Sequence, residues 1–534
     1  MREARRVMGG VSLRSFGLAC ALAYAVPLAA QDTVSAAFTT GRMLTILPAD
    51  SGVQPGSSPL LPPEHWAVRA AARAKALGLA DRYLPAQGAV PRHAVSAALA
   101  AAAARARETR PDLLPLAEGW GRRFAEEFSE YERAPASFQL QGARLAVGAD
   151  DHTGRLEPAF GVASRYRDPV ALENRGRLYG EAAGGVLVGG VASAFAEVRA
   201  NGGGDFDARR WQVGVGVGAV ELSVGEQPVA YGTLHGGGLL FSGAQPLPRV
   251  EVQTLRPVRL PSFLRALGPV SFHTFLSRMD EEARHPGDPW MWGARVAFEP
   301  HPRFTAALAR GSIFGGDSIE SETNFENVAK MLVGVLSDEF ENQIVAMDFR
   351  WRLPTEETLP ATLYLEWGAD DGAGAWWESP GIVAGAYVPA IPGLPEVSVG
   401  AEGAFFRAAC CGHGSWFTNE SQIGGWVRGG QPLAHPLGGE GYEAALYTRM
   451  ELLDARLRVD ARGFVRHRGD EGLAEAVGAA NLFAPQRAGG SFGGVLDAAW
   501  RVTPSADVRV RLFGDRGDGW TERRVEAAVA FFPF

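Results

Sequence analysis

The sequence predicts a mainly β protein, a transmembrane antiparallel β-barrel of about eighteen strands with a small N-terminal α-helical module. Three observations carry this expectation. From Ser137 onward apolar residues recur with a period of two, and the connections between these runs switch between short and long. No run is both long and apolar enough to cross a bilayer as a helix. A chain that enters lipid on strands must close its sheet, because lipid cannot satisfy open backbone groups.

Residues 1–30 read as an export signal. Arg2, Arg5, Arg6 and Arg14 precede the apolar run from Phe16 to Ala30, which ends in Leu28-Ala29-Ala30 before Gln31. Residues 31–57 are polar, with Gly, Ser and Pro, and read as a linker.

Residues 58–134 form the expected helical module. The stretch from Leu61 to Ala67 opens a first helix, with prolines suited to its start, and Val68, Ala72, Ala76 and Leu79 continue it. A second helix runs from about Arg92 through an alanine run to Arg107. A third, Leu113 to Tyr131, sets Leu116, Trp120, Phe124 and Phe128 four apart on one stripe. The first two helices resemble the S-layer-homology module, through Pro63, His65-Trp66-Ala67, Leu77-Gly78-Leu79 and Pro91-Arg92. That resemblance implies binding to a cell-wall polymer; the other reading is a helical plug or periplasmic cap.

Residues 135–534 form the expected barrel. Val345, Met347, Phe349 and Trp351 alternate with Ala346, Asp348, Arg350 and Arg352. Leu457, Val459 and Ala461 alternate with Arg456, Arg458, Asp460 and Arg462; Val508, Val510 and Leu512 alternate with Asp507, Arg509 and Arg511. Each is a strand with one apolar and one polar face. A soluble sandwich shows the same alternation, so the connections decide. Thr503-Pro504-Ser505, Glu299 to Pro302 and Pro392 to Pro395 are short, whereas 310–341, 407–440 and 468–490 are long and polar. Short periplasmic turns and long extracellular loops alternate in this way in outer-membrane barrels. An even strand count places both barrel ends, and with them the helical module, in the periplasm. Phe531-Phe532-Pro533-Phe534 ends the chain on an aromatic residue, like a signal for the barrel-assembly machinery.

Composition and motifs exclude several classes. A net charge of −8 argues against a nucleic-acid binder. Three cysteines are too few for a disulfide scaffold, and Cys410, Cys411 and His413 lack a fourth ligand for a metal. Gly489 to Gly493 matches a G-x-S-x-G elbow, but no buried strand precedes it. Gly214, Gly216 and Gly218 alternate with valines inside a strand, where they make room in the lumen rather than a nucleotide-binding turn. No catalytic site, cofactor or metal is expected, and the protein is read as no enzyme.

The chain resembles the Wzi family of capsule-assembly outer-membrane proteins. The segments carrying the resemblance are Gly236 to Gly243 with Pro246-Leu247-Pro248-Arg249, Asp348 to Pro354, and Leu363 to Asp371. The resemblance implies an eighteen-stranded barrel, plugged and without an open pore, that holds surface polysaccharide on the cell. The alternative from another class is a porin or a sugar or polysaccharide channel.

Two expected extracellular loops offer sugar-binding chemistry, in which aromatic rings stack on pyranose faces and carboxylates or amides bind hydroxyls. Asp370, Asp371, Trp376, Trp377 and Glu378 fall in one, and Trp416, Phe417, Asn419, Glu420 and Trp426 in the other. The competing reading makes these tryptophans part of the interfacial aromatic girdle. The expected partners are surface polysaccharide, outer-membrane lipid and lipopolysaccharide, the barrel-assembly machinery and, through the helical module, cell-wall polymer.

Overall fold

The computed structural model describes residues 45–46, 56–128 and 136–532, the last without 154–175, 189, 202–205, 233–234, 236, 280–283, 285, 318–325, 329, 331–340, 357, 371–379, 407–415, 418–421, 423–424, 429–430, 438–440 and 469–488. The expected export signal, most of the linker and Phe534 lie outside the described residues.

Three helices come first, α1 (Trp66–Ala76), α2 (Arg92–Thr109) and α3 (Leu114–Phe128). The eighteen long strands that follow are β1 (Ala136–Thr153), β2 (Gly176–Val188), β3 (Ala192–Asn201), β4 (Phe206–Val217), β5 (Val220–Ala230), β6 (Ser242–Thr254), β7 (Pro269–Arg278), β8 (Trp290–His301), β9 (Phe304–Phe314), β10 (Glu341–Arg352), β11 (Thr362–Asp370), β12 (Pro380–Val388), β13 (Val397–Phe406), β14 (Gly441–Leu452), β15 (Leu457–Arg468), β16 (Gly489–Thr503), β17 (Ala506–Gly517) and β18 (Trp520–Phe531). Each pairs antiparallel with its chain neighbour, and β18 pairs back onto β1 from Thr521↔Thr153 to Phe531↔Ala143. The sheet is therefore a closed eighteen-stranded barrel.

The side-chain distribution separates this barrel from a soluble sheet. Leu145, Leu222, Val224, Leu308, Leu446, Val465, Leu496 and Val525 lie exposed on the outside. Gln212, Glu251, His273, Asp348, Glu402, Arg458 and Arg511 are buried within. A barrel with its apolar face outward is built for lipid. Two sets of exposed aromatic residues flank that face. Trp351, Trp500 and Phe531 stand near the short-turn end, and Phe206, Phe405, Tyr442 and Phe492 near the long-loop end. These are the two interfacial girdles that such a barrel needs.

Eighteen strands enclose a lumen too wide for wall side chains alone to fill. The N-terminal segment fills one end. The predicted stripe of α3 is buried in full, and Leu116, Trp120, Phe124 and Phe128 share one core with Trp66, Val68, Val95 and Leu99. Ala390 and Ala455, from two short turns of the barrel, belong to the same core. The linker read over 31–57 is wall-bound at its end, where Ser57 Oγ lies 3.0 Å from Ser193 Oγ. Gly216 makes room for this segment, since a Cβ there would lie 3.2 Å from Ser57 Cβ. Gly489 to Gly493 begins β16 as a regular ladder, so Ser491 sits in a strand and not on an elbow.

Candidate functional site

Polar anchors latch the helices into the short-turn mouth. Arg73 is buried; its Nε donates to Pro389 O at 2.7 Å and its Nη1 pairs with Glu451 at 2.5 Å. Trp120 Nε1 donates to the other oxygen of Glu451 at 3.0 Å. Arg123 donates to Ala455 O at 2.8 Å and pairs with Asp507 at 3.1 Å. Arg501 joins Glu127 of α3 at 3.2 Å to Asp507 at 2.6 Å. The β14–β15 turn beneath α3 holds Leu453, Asp454 and Ala455 at positive φ, a left-handed run that non-glycine residues avoid. Gly119 allows α3 to touch this turn, because a Cβ there would lie 2.8 Å from Asp454 O.

Between α1 and α2 the chain climbs the lumen. Gly88 N donates to Ala230 O at 2.7 Å, at the long-loop end of β5. Arg295, held bidentate by Asp348, also donates to Ala86 O at 2.8 Å. The residues of the S-layer-homology likeness face inward. Trp66 Nε1 and His65 Nε2 both engage Glu127, at 2.8 and 3.2 Å, and the Arg123 guanidinium lies 4.6 Å over the Trp66 ring. Trp66 is buried, so the likeness offers no open stacking surface to a cell-wall polymer.

The long-loop end is closed differently. After β5 the chain turns into the barrel, and Leu239, Leu240 and Phe241 are buried against Phe275, Met291 and Ile313 of the wall. Trp416, Phe417, Trp426, Leu433 and Leu437 of the β13–β14 connection complete the same core. Trp416 and Trp426 are therefore not the exposed sugar platforms expected from the sequence. They are 1% and 0% exposed, and each ring occupies a slot that a strand glycine leaves open. A Cβ at Gly381 would lie 2.6 Å from Trp416 Cη2, and one at Gly311 would collide with Trp426. Asp370 ends β11, opposite Ile344, and its side chain lies outside the described set. Asp371, Trp376, Trp377, Glu378, Asn419, Glu420, Cys410, Cys411 and His413 lie outside the described residues.

Between the two closures a cavity of about 190 Å³ remains. His235, on the inward loop after β5, reaches its rim and packs on three tyrosine rings. Its centroid lies 4.8 Å from Tyr447, 4.5 Å from Tyr387 and 5.6 Å from Tyr364. Burial, followed by the nearby Arg350 and Arg69 charges, holds the His235 imidazole well below its ordinary pKa, so it is neutral at pH 7. Arg462 braces it, with hydrogen bonds to Glu402 at 3.2 Å and Glu443 at 2.5 Å. Among the described residues no group of three His, Cys, Asp or Glu side chains could hold a metal ion.

Residues 122–522 match the family model described as capsule assembly protein Wzi. Among solved structures, Escherichia coli Wzi superposes with a TM-score of 0.67 at 16% identity, over 89% of this chain and 100% of that one. It is described as a carbohydrate-binding β-barrel involved in group 1 capsule assembly. Pseudomonas aeruginosa OpdL reaches a TM-score of 0.44 at 12% identity, over 74% of this chain and 98% of its own. No curated protein matches the chain.

Proposed function

The chain belongs to the capsule assembly protein Wzi family, and from that premise we propose that it is an outer-membrane barrel that binds capsular or exopolysaccharide and anchors it at the cell surface. The observation that carries this reading is the double closure of the lumen. Helices fill one mouth and an apolar loop core fills the other, which suits a static holder and not a conduit. A porin or polysaccharide channel needs a continuous wet path, and purified protein in a planar bilayer should show no steady conductance. The E. coli Wzi barrel, described as carbohydrate-binding, has the same fold. Orientation follows from loop length, with the helices toward the periplasm and the long loops outside.

In this reading polysaccharide meets the loops after β11 and β13, through Asp370, Asp371, Trp376, Trp377, Glu378, Asn419 and Glu420. Replacing Trp376 and Trp377 by alanine removes stacking worth about 1–2 kcal/mol, so retention of polysaccharide should weaken roughly tenfold. Retention on cells is measured beside barrel abundance and heat-modifiable migration. Lower retention with normal assembly supports the loops as the contact surface. Reduced assembly makes the tryptophans girdle residues, and unchanged retention with normal assembly removes the loops from anchoring.

A further inference from the structure

The central cavity has a charge pattern that closing the barrel does not require. Four neighbouring strands, β14 to β17, send ionic side chains into it, and α1 adds Arg69, Arg73 and Lys75. Cross-strand register sets Arg449 opposite Asp460, Asp460 opposite Asp497, and Asp497 opposite Arg511. Two carboxylates directly opposite each other repel, so this row needs the guanidiniums at its flanks. The guanidiniums outnumber them. Asp460 is shared by Arg449 at 2.5 Å, Arg458 at 3.0 Å and Arg69 of α1 at 4.0 Å. Asp497 is shared by Arg509 and by Arg511 at 2.8 Å. Five guanidiniums thus converge on two carboxylates, and Arg449, Arg458 and Arg511 are more than nine-tenths buried.

We propose that this cluster is an anion-binding site inside the barrel, built for a carboxylate or phosphate group carried by a molecule no larger than a monosaccharide. Crowding buried guanidiniums against one another is costly, and an oxyanion seated between them lowers that cost. Guanidinium forks match the two oxygens of a carboxylate or phosphate better than they match a spherical ion. Arg458, Arg509 and Arg511 also line a second cavity, of about 330 Å³, on the helix side. The cluster therefore stands between two spaces, each several times the ~30 Å³ that one water occupies in the liquid. The site is distinct from the loop residues proposed to hold polysaccharide, and either assignment can fail alone.

The test is the thermal midpoint of the folded barrel in detergent, read by heat-modifiable migration. Sodium glucuronate, sodium phosphate or glucose is added, with chloride holding ionic strength constant. A ligand that binds only the folded state raises the midpoint with the logarithm of its concentration. The protein is equilibrated with each solute before heating, so that the solute reaches the lumen of the folded barrel. Glucuronate or phosphate should raise the midpoint, and glucose should not. A steeper response to glucuronate assigns a sugar carboxylate, and one confined to phosphate assigns a phosphate group. Arg509→Gln should weaken the apparent affinity about tenfold. Asp460→Asn should strengthen it several-fold by removing a competing carboxylate, a direction that simple damage to the wall does not produce. A flat response to both anions, or weaker binding in Asp460→Asn, overturns the proposal.

Discussion

The two ends of the barrel are shut by opposite chemistry. At the short-turn mouth the helices carry an alanine-rich core of their own and grip the wall through buried ion pairs, Arg73 with Glu451, Arg123 with Asp507 and Glu127 with Arg501. At the long-loop mouth the wall is gripped by apolar rings, with Phe241, Trp416 and Trp426 set against Phe275, Phe406 and two slot glycines. A charged latch is strong only while each partner keeps its charge, whereas an apolar core is insensitive to pH and salt. The helix end is therefore the one that conditions can loosen, and the loop end the one that only altered packing can.

Trp416→Ala with Trp426→Ala gives the largest expected effect. Each truncation leaves a cavity in a dry core and should cost about 3–5 kcal/mol. The folded form should lose tens of degrees of heat resistance or fail to assemble. A double variant with wild-type heat resistance would place these rings back on the surface, and the contrast between the two ends would break.

This correction marks where the sequence stopped being informative. The strands were legible because alternation is local, as in Arg458-Val459-Asp460-Ala461-Arg462, and the helices because Leu116, Trp120, Phe124 and Phe128 keep a four-residue spacing. Whether a loop tryptophan points to solvent or into a lumen is not local. The signal lay far away, in Gly311 and Gly381, glycines within strands whose missing side chains mark close approach. The cationic cluster was half visible. Alternation shows the arginines of β15 and β17 as a polar strand face, but the meeting of Asp460 with Asp497 depends on register, which alternation alone leaves open.

An intermediate effect is expected at the helix end from Glu451→Gln. The amide still accepts from Trp120 Nε1, but Arg73 is left buried without its counter-charge, at a cost of about 3–5 kcal/mol. Limited proteolysis should then cleave within residues 58–128 while the barrel band persists. Pairing the change with Arg73→Met should restore protection, since a neutral side chain of similar length removes the stranded charge. Failure of that rescue would mean that the latch acts through shape and not through charge.

The smallest expected effect is a pH dependence confined to the helix end. His93, in the first turn of α2, is buried, and its backbone N–H donates to Ser58 Oγ at 3.0 Å. Burial, then the charge of Arg92, depresses its pKa from 6.5 to about 4. The unfolded segment therefore binds more protons than the folded one between about pH 4 and 6.5, so stability is full above that window and falls as pH drops through it. Between pH 8 and pH 5 the loss is about 2 kcal/mol, at 1.36 kcal/mol per unit of pKa difference. Proteolytic protection of residues 58–128 should weaken over that range, while the heat resistance set by the loop core barely moves. His93→Gln removes one titrating group and should reduce the slope, leaving the share of His65, whose pKa is also lowered by burial. An undiminished slope in His93→Gln would assign the pH sensitivity to another group at that mouth, and an equal slope at both ends would erase the distinction between them.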